Sequence, residues 1–181
     1  MNTDFQNIVT TLRSGGIAVV RTDTIYGIIA QAADERAVEK VFEAKKRQPS
    51  KQCIVLIADA SDVKTYGSTI ARVSAANELP TSVIVPATGE PDWLLRGGST
   101  IAYRVVRDPF LKKVVEQVGP VIAPSANPES VSPARNINQA RSYFGSTVDC
   151  YIDGGEVPID VQASQIVQVH EDGTTTVIRA A

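Results

Sequence analysis

Apolar residues recur along the chain in two rhythms. At helical spacing, Phe5, Ile8, Val9 and Leu12 share one face, so the chain opens on a helix that Thr3 or Asp4 can cap and Gly15-Gly16 ends. Val38, Val41 and Phe42 form a second stripe behind the cap residue Asp34. Phe110, Leu111, Val114 and Val115 form a third, opened by Asp108-Pro109 and stopped by Gly119-Pro120. Ile137, Ala140, Tyr143 and Phe144 form a fourth behind Asn136, and residues 62–78 read as a weaker, less amphipathic helix. Between these lie short apolar runs at 17–20, 54–58, 82–85, 100–106 and 121–123, the length and character of buried strands. Residues 164–170 and 174–179, joined by Glu171-Asp172-Gly173, read as a closing hairpin. Helices interleaved with strands predict an α/β fold: a twisted mixed, largely parallel open sheet covered by helices, with a C-terminal hairpin.

Length and charge narrow this picture. With 181 residues and no internal repeat or linker, the chain fits one domain, residues 1–181, by the rule of roughly 100–200 residues per domain. Eighteen Lys and Arg against 20 Asp and Glu leave a net charge of −2, which argues against a general nucleic-acid coat protein. No apolar run approaches a membrane span, and Met1-Asn2-Thr3-Asp4 is not the start of a signal peptide. Cys53 and Cys150 lack metal-ligand spacing, and His170 is the sole histidine, so no zinc or haem site is expected. Reduced thiols and a cytoplasmic location follow.

Four segments carry polar residues that a bland domain does not need. Arg21-Thr22-Asp23-Thr24-Ile25-Tyr26-Gly27 follows a buried strand, where open α/β sheets place ligands. Its hydroxyls could equally serve a turn that bonds its own backbone. In Lys45-Lys46-Arg47-Gln48-Pro49-Ser50-Lys51, the stripe through Val38, Val41 and Phe42 extends onto Lys45. A lysine there must snorkel outward or face a polar cavity. Helix-end electrostatics explain one such cation but not four in seven residues, and a triphosphate is the natural partner. The chain has no G-x-x-x-x-G-K-[ST], so phosphate binding is not of the P-loop kind. Period-two alternation puts Thr100, Ala102 and Arg104 on one strand face, and a mid-strand arginine calls for a carboxylate or phosphate, a ligand's or an internal one, unless that sheet face is exposed. Last, Ala123-Pro124-Ser125-Ala126-Asn127-Pro128 is a proline-stiffened loop that points Ser125 and Asn127 the same way, although turn chemistry alone could account for them. No G-x-S-x-G accompanies Ser125, so a serine nucleophile is not expected.

Taken in this order, the four segments resemble the YrdC/Sua5 family of threonylcarbamoyl-AMP synthases over nearly the whole chain. Thr22-Asp23-Thr24-Ile25-Tyr26-Gly27 resembles the family's T-[DE]-T-x-Y-G, Lys45-x-Arg47 with Lys51 its K-x-R segment, and Ser125-x-Asn127 its S-x-N. The strand ending Arg104-Val105, Ser132-Pro133, Ser164-Gln165-Ile166-Val167 and Ile178-Arg179 resemble the remaining motifs. The resemblance implies a YrdC-like fold of the short, single-domain type, without the C-terminal domain of longer members. It implies synthesis of threonylcarbamoyl-AMP and pyrophosphate from L-threonine, bicarbonate or CO2, and ATP, for t6A modification of tRNA. ATP would be held by Arg47, Lys51, Thr100, Ser125, Ser132, Pro133 and Arg179, and L-threonine by Thr24, Tyr26, Arg104, the Ala123 backbone and Ser164. Lys45, Arg47, Ser125 and Asn127 form the implied catalytic set. Mg2+ would arrive with ATP, with no tightly bound cofactor. Implied partners are the downstream t6A transferase machinery and tRNA or double-stranded RNA, with no membrane. The alternative reading is a non-catalytic paralogue binding nucleotide or double-stranded RNA in tRNA or ribosome maturation.

The chain departs from the family pattern at four places. P-G-P-x-T becomes Glu78-Leu79-Pro80-Thr81-Ser82, S-P-T becomes Ser132-Pro133-Ala134, the S-G before it becomes Glu129-Ser130-Val131, and R-x-G becomes Arg179-Ala180-Ala181. Loss of glycine is expected to forbid backbone conformations that glycine alone tolerates.

Overall fold

Side-chain alternation along the strands splits the core into two layers, one on each face of a single sheet. The computed structural model describes residues 3–170 and 172–180; Met1-Asn2, Glu171 of the expected turn and Ala181 of the closing motif lie outside them. In chain order the elements are α1 (Thr3–Arg13), β1 (Ala18–Arg21), β2 (Tyr26–Gln31), α2 (Glu35–Lys45), β3 (Val55–Ile57), α3 (Gly67–Ala75), β4 (Thr81–Pro86), α4 (Asp92–Leu95) and β5 (Thr100–Val105). There follow α5 (Pro109–Val118), β6 (Val121–Ile122), α6 (Ile137–Phe144), β7 (Cys150–Tyr151), β8 (Gln165–Val169) and β9 (Thr175–Arg179). Short 3-10 turns lie at Ala60–Asp62 and Gly145–Thr147.

The expected caps act where the sequence puts them. Asp34, Asp108 and Asn136 accept the N–H groups of Ala37, Leu111 and Gln139 at 3.1, 2.7 and 2.9 Å. Thr3 and Asp4 are instead inside the first turn of α1, where Asp4 complements the helix dipole. Beyond the predicted elements, the structure adds β2, β7 and α4, and shortens the weak helix to Gly67–Ala75.

Among the described residues nine strands form one sheet, ordered β7-β1-β2-β6-β3-β5-β4-β8-β9. The α/β class and the closing hairpin hold, but the sheet is not largely parallel. Only β1–β7, β3–β5 and β4–β8 pair parallel, and the other five pairs are antiparallel. The tight β1–β2 hairpin reverses the chain, where a parallel neighbour needs a long crossover.

On one face Val19, Ile28, Ala30, Val55, Ile57, Ile101 and Tyr103 pack with Val38 and Val41 of α2, Ile70 and Val73 of α3 and Ile137 and Ala140 of α6. On the other, Ala18, Val20, Ile29 and Leu56 pack against Ile8 and Leu12 of α1 and Leu111, Val114 and Val115 of α5. Each buried Val, Leu or Ile among them contributes about 1.5–3 kcal/mol. Among the described residues, none on β4, β5, β8 or β9 belongs to this second layer. That half of the sheet face carries no apolar layer; on it Arg104 and Ser82 are buried and Ile166 is half-buried.

Candidate active site

Strand register fixes the first wall of the site. Arg21 pairs with Tyr26, leaving Thr22–Ile25 as the tip of the β1–β2 hairpin, closed by a bond from Thr22 N to Ile25 O at 3.1 Å. Thr22 Oγ1 donates to Ile25 O at 2.8 Å, accepts from Thr24 N at 3.3 Å and lies 3.1 Å from Thr24 Oγ1. A hydroxyl has one proton, and Thr22 gives its own to Ile25, so Thr24 donates to Thr22. The remaining lone pairs of Thr24 are free to accept from a ligand. Beside it Tyr26 is fully buried; its hydroxyl donates to Gly155 O at 2.8 Å and accepts from Gly154 N at 2.9 Å. Burial raises its ionisation above the ordinary tyrosine value. The hydroxyl thus moors the loop after β7, while the residue itself lines the site.

The second wall is the segment after β6, which runs on beside β2. Ile28 N donates to Pro124 O and Ala126 N to Tyr26 O, at 3.0 and 2.8 Å. This closeness explains Gly27: a Cβ there would lie 3.2 Å from Thr22 Cγ2 and 3.4 Å from Pro124 O. Ser125 Oγ donates to Asn127 Oδ1 at 2.6 Å, and Asn127 Nδ2 donates to Val131 O at 2.6 Å. The loop is further held by Lys45, which the helical stripe brings inward as expected, to 2% exposure. Its ammonium donates to Ser125 O at 2.5 Å and Asn127 O at 2.6 Å. Burial lowers its pKa from 10.5 to about 8, with Arg47 adding to the shift. Further along, Ser130 has φ at +69°, so the left-handed conformation is not forbidden by the absence of glycine as expected, and the side chain bears its strain.

Arginines supply the remaining walls. Arg47 donates through Nε to Lys51 O at 3.1 Å and through a terminal nitrogen to Gln52 O at 2.7 Å. Arg104, 4% exposed on β5, faces Asp23 across 3.5 Å. Burial lowers its pKa, Asp23 opposes that shift, and Arg179 adds to it. Arg179 on β9 donates to Ser164 O at 3.0 and 2.7 Å. Ser164 Oγ lies 2.9 Å from Ser82 Oγ, so the serine standing where the family has threonine retains the hydroxyl.

These walls enclose a cavity of about 390 Å³, bordered by Thr24, Tyr26, Arg47, Arg104, Ala123, Ser125, Pro133, Ser164 and Arg179. Five expected site residues are not on its lining. Lys45 and Asn127 lie behind Ser125 as its supports. Lys51 is 47% exposed in its side chain and pairs with Glu129. Ser132 is exposed, its carbonyl accepting from Tyr143. Thr100 lies at the far end of β5, its carbonyl accepting from Gln52 Nε2 at 2.6 Å. Conversely, Thr22, Gln52, Cys53 and Ile166 border the cavity, and Asp23 stands behind Arg104, none of them assigned a role from sequence. Burial raises the Cys53 thiol pKa, against the pull of Arg47 and Lys45.

The profile of the Sua5/YciO/YrdC family, described as "Telomere recombination", matches residues 10–181. A threonylcarbamoyl-AMP synthase of Pyrococcus abyssi (strain GE5 / Orsay) is 31% identical over 163 residues, which are 86% of this chain and 48% of that protein. One of Coxiella burnetii (strain RSA 493 / Nine Mile phase I) is 31% identical over 150 residues, 79% of this chain and 81% of that protein. The chain thus spans about half of the first relative and four fifths of the second. Among solved structures, P. abyssi Sua5 complexed with L-threonine superposes with a TM-score of 0.86 at 26% identity, covering 97% of this chain and 53% of that one.

Proposed function

The chain belongs to the Sua5/YciO/YrdC family, and from that premise we propose that it is an L-threonylcarbamoyladenylate synthase. Relatives of similar sequence are named threonylcarbamoyl-AMP synthase. The observation that carries the reading is the lining of one cavity by three guanidinium groups, Arg47, Arg104 and Arg179, with no carboxylate among its described lining residues. Such a cavity suits a ligand set bearing a carboxylate and a polyphosphate.

In this reading Arg104 pairs with the carboxylate of L-threonine, and the acceptor oxygen of Thr24 takes an N–H of the amino group. The neutral amine adds to the carbon of CO2, opening a C=O π bond and releasing a proton to solvent, to form a carbamate; from bicarbonate, a C–O bond breaks and water leaves as well. A carbamate oxygen attacks the α-phosphorus of ATP, and pyrophosphate leaves. Arg47 and Arg179 offset the charge that develops on the phosphates. The chain needs no nucleophile of its own, because holding the reactants in place lowers much of the barrier. Lys45 and Asn127 act one layer back, by fixing the loop that carries Ser125. Among the described residues no three His, Cys, Asp or Glu side chains converge as a metal set; magnesium enters as the counter-ion of ATP, a part of the substrate. The same reading places the chain in the cytoplasm, handing its adenylate to the t6A transferase machinery that modifies tRNA. No described helix is long and apolar enough to cross a membrane.

Incubation with ATP, bicarbonate and labelled L-threonine is expected to yield the labelled adenylate with one pyrophosphate per product. Titration calorimetry should detect ATP and L-threonine separately. Binding of neither, together with steeply salt-dependent binding of tRNA, would replace this reading with that of an RNA-binding module.

A further inference from the structure

Asp23 does not line the cavity, yet its side chain is only 5% exposed. Its two oxygens do different work. Oδ1 accepts the N–H groups of Arg107 and Asp108, each at 3.3 Å, and so ties the hairpin tip to the start of α5. Oδ2 lies 3.5 Å from Arg104 Nε, an ion pair rather than a hydrogen bond, and neither of these two buried atoms has a hydrogen-bond partner. The charges that act on Arg104 are Asp23, which favours its guanidinium, and Arg179, which disfavours it. Without Asp23, the buried guanidinium would face a second cation and no anion, a situation that drives an arginine to swing toward water.

We propose that Asp23 is a positioning residue for substrate carboxylate recognition: it holds Arg104 by the Nε edge, so that the terminal nitrogens are presented to the cavity as a fork. A guanidinium donates along more than one edge, and bidentate recognition of a carboxylate requires one whole edge free and correctly aimed. Engaging Nε from behind leaves that edge to the ligand. The proposal rests on the reading that this cavity takes L-threonine.

Asp23→Asn separates this role from the tie to α5. An amide has a single acceptor oxygen, which can keep the Arg107 and Asp108 contacts but carries no charge to hold Arg104. The dissociation constant for L-threonine, read by calorimetry, is expected to rise at least about tenfold, with that for ATP changing by less than about threefold. Asp23→Ala loses the tie as well and is expected to show the same threonine defect with a lower melting temperature. In an Arg104→Ala background Asp23→Asn should add less than about twofold, since nothing remains to be positioned. That double variant leaves no unpaired buried charge, so it remains a usable test if the single variant folds poorly. Wild-type threonine affinity in Asp23→Asn, or losses that add fully in the double variant, would overturn the proposal alone. No threonine binding by the unaltered chain would overturn the reading of the cavity, and this proposal with it.

Discussion

A guanidinium at 4% exposure on a sheet face without an apolar layer is satisfied by a ligand or by a neighbour, and one ion pair at 3.5 Å leaves Arg104 with donors to spare. Arg104→Ala should therefore weaken L-threonine by about 2–3 kcal/mol, on the order of 30–150-fold, and ATP far less. Calorimetric titration of each ligand checks this; equal losses for both would mean the residue shapes the whole cavity. At this scale the sequence was legible wherever a cation interrupts an apolar rhythm. Lys45 ends a helical stripe and Arg104 breaks a strand, and both are buried as that pattern requires. Asp23 and Gln52 carried no such signal. A polar residue in a loop looks the same in sequence whether it bonds its own turn or a neighbour far along the chain.

Helix α2 brings its last residue inward, and the contact it makes there can be tested apart from the chemistry. Lys45→Met keeps the stripe but removes the donor from Ser125 O and Asn127 O. It should lower folding stability by about 1–3 kcal/mol, as two half-buried acceptors lose their partner. Lys46→Met, next along but exposed, should change little. The comparison has a pH signature as well. Above about pH 8 the folded chain sheds the Lys45 proton, whereas an ordinary lysine keeps it to 10.5. In that window the unfolded state binds more protons, so Lys45 makes stability rise with pH. Urea unfolding at increasing pH should show the wild type gaining on Lys45→Met across the window; a constant difference would mean that Lys45 titrates normally. Other elements were harder to read. Strand β2 is hidden because its apolar run follows directly on polar Thr22-Asp23-Thr24, which looks like the start of a longer loop. Strand β7 and helix α4, at two and four residues, are too short to show a period.

Across the whole molecule, hydrophobic rhythm reveals which face of a strand is buried but not which strand lies beside it. The α/β class was therefore legible, whereas the pairing directions were not. The order of the sheet puts a site residue at its margin. Strand β9 has β8 as its sole described neighbour, all five of its residues are exposed, and it ends in Arg179. Such an edge opens more readily than the centre. Ligand binding through Arg179 should slow amide hydrogen exchange in Val177–Arg179 while leaving α5 unchanged; unaltered exchange along β9 would remove Arg179 from the site. The bonds from Lys45 have a consequence of another kind. They join carbonyls 80 and 82 residues further along the chain, and closing so long a segment carries a large entropic penalty. An ammonium group resists leaving water until its acceptors are in place, so this contact is expected to follow the pairing of β2 with β6 that delivers them. Closure of the cavity wall is then expected to come after that pairing as the chain folds.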